Sequence, residues 1–129
     1  FTPRSRRAVR VAARMAASSG AATTLLHVIE RIDTDAPGAL AGFYRKLEKS
    51  ARRQMAELLP EFSRRGLEAR AEVLYGGRVN EILRFAEESG ADLIVMSSHK
   101  LPLKRGGENW GTISYKVGIL SRCPVMLVK

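Results

Sequence analysis

Residues 97–112, SSHKLPLKRGGENWGT, gather the side chains of this sequence best suited to hold an anion. Lys100, Lys104 and Arg105 are basic, Gly106 and Gly107 are adjacent, and Gly111 is followed by Thr112. Glycines let backbone amides close on a phosphate, and a Gly-Thr pair can open a helix whose first amides attract negative charge. The chemistry expected of the segment is therefore phosphate binding. Its glycines are crowded toward the end of the loop, which leaves part of the grip to Lys100, Lys104 and Arg105.

Other reactive residue types are sparse. His27 and His99 have no cysteine, aspartate or glutamate at ligand spacing, so structural hydrogen bonding is expected of both and no metal site is expected. Cys123 precedes Pro124 and a strand-like run, which predicts a buried structural residue and not a reactive thiol. Trp110 is expected to pack or to touch a partner. No Ser-His-Asp arrangement is legible, and Glu108 is the only acidic residue of the loop. No catalytic residue and no enzyme activity are expected.

The elements that must carry the loop follow from periodicity. Thr2 and Pro3 read as an N-cap and first helical position, and Ala8, Ala12, Met15 and Ala16 share a face. A helix is predicted from about Pro3 to Ser19, closed by Gly20. ATTLLHVI (22–29) predicts a buried strand, and a loop with Asp35, Pro37 and Gly38 follows. Phe43, Leu47, Ala51, Met55, Leu58 and Phe62 predict a long amphipathic helix from about Ala39 toward Arg65, kinked or broken at Pro60. LEARAEVLY (67–75) predicts a strand that Gly76-Gly77 ends; Val79, Ile82, Leu83 and Ala86 predict a short helix ending at Gly90. DLIVMS (92–97) predicts a strand covered on both faces. Ile113, Val117 and Leu120 predict a last helix, and PVMLVK (124–129) a last strand. This alternation calls for an α/β fold, a doubly wound parallel sheet with helices on both faces. The sequence begins on a helix where such sheets begin on a strand, so a first strand is expected to lie outside this chain.

A length of 129 residues predicts one domain over 1–129. No apolar run reaches the roughly 20 residues of a membrane helix and the N-terminus has no signal-like apolar core, so a cytoplasmic protein with no membrane partner is expected. The single cysteine fits a reducing compartment. A net charge of +9 favours polyanions, but the basic residues are spread over several helices and no aromatic residues alternate with them. A solvated basic surface is expected, and a specific nucleic-acid partner is not.

TLLHVIE, ADLIVMSSHK, GTISYKV and CPVMLVK, in this order and spacing, resemble the universal stress protein family over almost the whole chain. The resemblance implies a five-stranded parallel sheet of order 3-2-1-4-5. It also implies that the strand preceding FTPRSRRAV, with its terminal aspartate, is absent here. That strand is central, so the sheet must be completed by a further segment or by a partner.

The nucleotide-binding branch of the family carries Gly, two residues, Gly, nine residues, then Gly followed by Ser or Thr. Ser97 stands at the first glycine, Lys100 at the second, and ten residues separate Lys100 from Gly111-Thr112. Holding Lys100 in a left-handed conformation would cost about 1–2 kcal/mol, so the loop should take another path. The resemblance implies a non-catalytic, homodimeric protein of the stress response, paired through Val125, Met126, Leu127 and Val128 of the last strand. No cofactor is certain. The alternative is a sensor of ATP or a related adenine nucleotide, held by Val28, Ser97, Lys100, Lys104, Arg105, Gly111 and Thr112.

Overall fold

The computed structural model describes residues 1–31, 38–98 and 112–129. In chain order the elements are α1 (Pro3–Ser19), β1 (Thr23–Ile29), α2 (Ala41–Leu58), α3 (Pro60–Ser63), β2 (Ala69–Tyr75), α4 (Arg78–Ser89), β3 (Ile94–Ser97), α5 (Ile113–Leu120) and β4 (Val125–Val128). The fold is α/β, with parallel strand pairs and helices packed on them.

Local signals set the boundaries. The Ser5 amide donates to the Thr2 hydroxyl at 3.2 Å and the Thr2 amide to the Ser5 hydroxyl at 2.8 Å, a reciprocal cap for α1. Gly20, at φ 70°, ends that helix with its amide on the Ala16 carbonyl. Pro60 has no amide to continue α2, and the chain restarts as α3, the break expected there. The restart turns Phe62 into the core, where it is fully buried.

Where the sheet was expected as one body, the described strands form two parallel pairs, β1-β2 and β3-β4. Thr23 lies opposite Ala69 and Ile29 opposite Tyr75; Ile94 lies opposite Val125 and Ser97 opposite Val128. In β1 the Thr23 amide donates to the Glu68 carbonyl, and the Ile29 carbonyl accepts from the Gly76 amide. Parallel ladders use alternate residues on each side, so the backbone groups of Leu26 and Val28 point away from β2. By the same rule, Ile94 and Ser98 donate toward β4, and the backbone groups of Val95 and Ser97 point away from it.

The main core is built by Ala13 of α1, Leu25 and Ile29 of β1, Ala51, Met55 and Leu58 of α2, Phe62 of α3 and Val73 of β2. α1 also packs on β3 and β4, so it spans both strand pairs. On the remaining side α4 packs on β1, α5 on β4, and the two helices on each other.

Three packing expectations need correction. The spacing of apolar residues puts Phe43 and Leu47 on the inward stripe of α2, but they are 49% and 38% exposed. Each four-residue step overshoots a helical turn by roughly 40°, so counting back from Met55 carries Leu47 and then Phe43 off the buried face. Tyr44 takes the inward position instead. Leu120 is exposed at the end of α5, whose inward residue is Val117. Cys123 is half-buried, beside the Ser121 hydroxyl, and not fully enclosed.

Candidate functional site

A cavity of about 460 Å³ opens between the two strand pairs. Its apolar wall is Leu26, Val28, Ile82, Met96 and Ile113, and its polar groups are His27, Arg78, Ser97, Thr112 and Ser114. Consecutive residues of a strand point to opposite faces. Leu26, His27 and Val28 nevertheless all border the cavity, as do Met96 and Ser97. The cavity therefore runs along the open edges of β1 and β3, the edges to which Leu26, Val28 and Ser97 turn their backbone groups.

At one end of this opening the first turn of α5 meets the ends of β3 and β4. Thr112 caps α5 in extended conformation, with no side-chain capping bond. The buried Ser114 hydroxyl donates to the Ser98 hydroxyl at 3.3 Å, and the Lys129 ammonium donates to Ser98 Oγ at 3.2 Å and to Tyr115 Oη at 3.1 Å. Hydrogen bonding to Lys129 holds the Tyr115 phenol below its ordinary range. A helix start with a nearby ammonium and hydroxyls suits an anionic group.

On the other wall, the Arg78 amide donates to Glu30 Oε1 at 3.4 Å as α4 begins. His27 stacks on the Phe1 ring, with centroids 5.2 Å apart. Burial, then the positive N-terminal amine and Arg78, push the His27 imidazole below its ordinary range. Apolar walls with a few converging polar groups are the usual make-up of a small-molecule pocket.

Of the residues expected to hold a nucleotide, Val28, Ser97 and Thr112 border this one cavity. Lys100, Lys104, Arg105 and Gly111 lie outside the described residues, as do His99, Gly106, Gly107, Glu108 and Trp110. Sequence reasoning missed Arg78 and Ile82 as neighbours of the site. Their signal was Gly76-Gly77, which ends β2 and starts α4 at the carboxyl ends of parallel strands, where α/β proteins bind ligands. Among the described residues no three histidine, cysteine, aspartate or glutamate side chains gather as a metal site.

Solved structures share this fold. The universal stress protein UspA from Lactobacillus plantarum is 19% identical, with a TM-score of 0.81 over 99% of this chain and 91% of that one. A universal stress protein from Archaeoglobus fulgidus in complex with dAMP is 18% identical, with a TM-score of 0.71 over 100% of this chain and 90% of that one. A universal stress protein in complex with cAMP is 22% identical, with a TM-score of 0.78 over 99% and 90% of the two chains. At these identities the likeness speaks for the fold. A search of curated proteins finds no match. The model of the universal stress protein family matches residues 1–129, and the chain belongs to that family.

Proposed function

We propose that the chain is a non-catalytic universal stress protein that acts in the cytoplasm as a homodimer. The observation that carries this reading is the outer edge of β4. Among the described strands β4 pairs with β3 alone, and Ile119 and Leu120, just before it, are 72% and 60% exposed. A second copy laid antiparallel along Val125, Met126, Leu127 and Val128 would pair that edge and cover those side chains.

The second reading is an adenine-nucleotide sensor. It is favoured by the meeting of Val28, Ser97 and Thr112 at one cavity, and by relatives solved with dAMP and cAMP. Both readings include a fifth parallel strand between β1 and β3, giving the order 3-2-1-4-5. Phe1 stacks on His27 near the carboxyl end of β1, where a parallel strand leading into α1 would finish. Such a strand would fill the edge-lined part of the cavity and leave its mouth, at Val28, Ser97 and Thr112, to a ligand.

Native mass spectrometry of the freshly purified chain tests both readings at once. The expected spectrum is a dimer, and Leu127→Asp should turn it into a monomer of unchanged circular dichroism, because the carboxylate would be buried without a partner. A dimer that survives Leu127→Asp and Val125→Asp would sink the β4 interface. An additional nucleotide-sized mass on each subunit would favour the sensor over the ligand-free protein.

A further inference from the structure

The outward side of α2 carries charge that no other described residue neutralises. Arg45, Lys46, Lys49 and Arg53 are exposed and none is in an ion pair among the described residues. The helix's own acids are already engaged. Glu48 accepts from Tyr75 Oη at 2.6 Å and from Arg52 Nε at 3.0 Å, and Glu57 pairs with Arg6 at 3.6 Å. Glu61 of the adjoining α3 pairs with Arg10, Arg64 and Arg65.

Steps of three and four residues align Phe43, Lys46, Lys49 and Arg53 along this side, with Leu47 beside Phe43 and Arg45 beside Lys49. The exposed Phe43 and Leu47 thus stand next to the unneutralised cations. We propose that the outward side of α2 docks on an anionic lipid surface, with Arg45, Lys46, Lys49 and Arg53 on the headgroups and Phe43 and Leu47 entering the boundary below them.

A second copy of the chain does not fit this side, because it would bring like charges together. A nucleic acid would use the cations but leave Leu47 in water, and no second aromatic residue alternates with the cations to stack on bases. A bilayer accepts both halves of the pattern, since long basic side chains reach phosphates while their stems and nearby apolar groups sit lower. The expectation of no membrane partner concerned spanning segments, and a surface contact needs none.

The test is flotation of the full chain with vesicles of phosphatidylcholine alone and with roughly 30% phosphatidylserine added, at about 0.1 M salt. Binding to the anionic vesicles only is expected. Near such a surface each basic residue contributes roughly fivefold, so combined Lys46→Gln, Lys49→Gln and Arg53→Gln should weaken binding on the order of 100-fold. Phe43→Ser should weaken it roughly tenfold at unchanged charge. The same charge removed elsewhere, through Arg7→Gln, Arg14→Gln and Lys116→Gln, should cost less than about threefold. All these side chains are exposed or at the surface, and circular dichroism checks that each variant is folded. The proposal is overturned by equal binding to neutral vesicles, by no binding, by an indifferent Phe43→Ser, or by a control triple as damaging as the α2 triple. Tighter binding of an oligonucleotide than of anionic vesicles, lost in the α2 triple, would assign the surface to nucleic acid instead.

Discussion

Gly76 holds the turn between β2 and α4 at φ 143°, and a Cβ there would stand 2.9 Å from Glu81 Cγ. Glu81 is itself ion-paired to Arg84, so it does not swing aside freely. Gly76→Ala should cost about 1–3 kcal/mol in urea unfolding. Gly90→Ala, at φ 68° with open space around it, should cost less; the reverse order would show that Glu81 gives way easily. His27 supplies a pH test. Its folded imidazole is held below the ordinary value of 6.5, chiefly by burial, so the unfolded chain binds the proton more readily. Stability is then full above about pH 6.5 and falls as the pH drops through the window between 6.5 and the lowered folded value. Urea unfolding at about pH 7.5 and 5.5 should show this loss in the wild type and a smaller one in His27→Gln. At this scale Ser97 and Thr112 were picked out by their places in the family's glycine signature, and both border the cavity. Arg78 and Ile82 were marked only by Gly76-Gly77, and it takes the folded chain to bring the start of α4 to the same cavity as β3.

The elements themselves were the most legible part of the chain. Thr2-Pro3, Gly20, Pro60 and Gly90 are local signals, and each sets a boundary where local chemistry says it should. Burial within an element was less legible: Phe43 drifts off the stripe by an angle no short window reveals, and the sequence marked Ala12 and Met15 of α1 while Ala13 proved fully buried. The two strand pairs lead to a prediction at this scale. Alternate amides of β1 face β2, and those of Leu26 and Val28 face the cavity. If a fifth strand occupies the opening in solution, hydrogen exchange at Leu26 and Val28 should be as slow as at Leu25 and His27. Fast exchange confined to Leu26 and Val28 would count against such a strand.

For the whole molecule, α1 packs on β3 and β4 and its Ala13 shares the main core with Leu25, Ile29 and Val73 of β1 and β2; its inward residues Ala8, Ala13 and Ala16 are buried. Arg6–Glu57 and Arg10–Glu61 fasten the same helix to α2 and α3, though exposed pairs of this kind contribute only about 0–1 kcal/mol each. Packing must do most of that work. Ala13 has no exposed surface, so Ala13→Leu should lower unfolding stability by about 1–3 kcal/mol through overpacking. A neutral result in urea unfolding would mean that α1 floats more freely than its contacts suggest. Because α1 packs on β3 and β4 and sends Ala13 into the core beside β1, the size of that one residue bears on how closely the facing edges of β1 and β3 approach. A methyl group gained or lost on a helix outside the opening can therefore reset its width, changing what enters without altering a single residue of its walls.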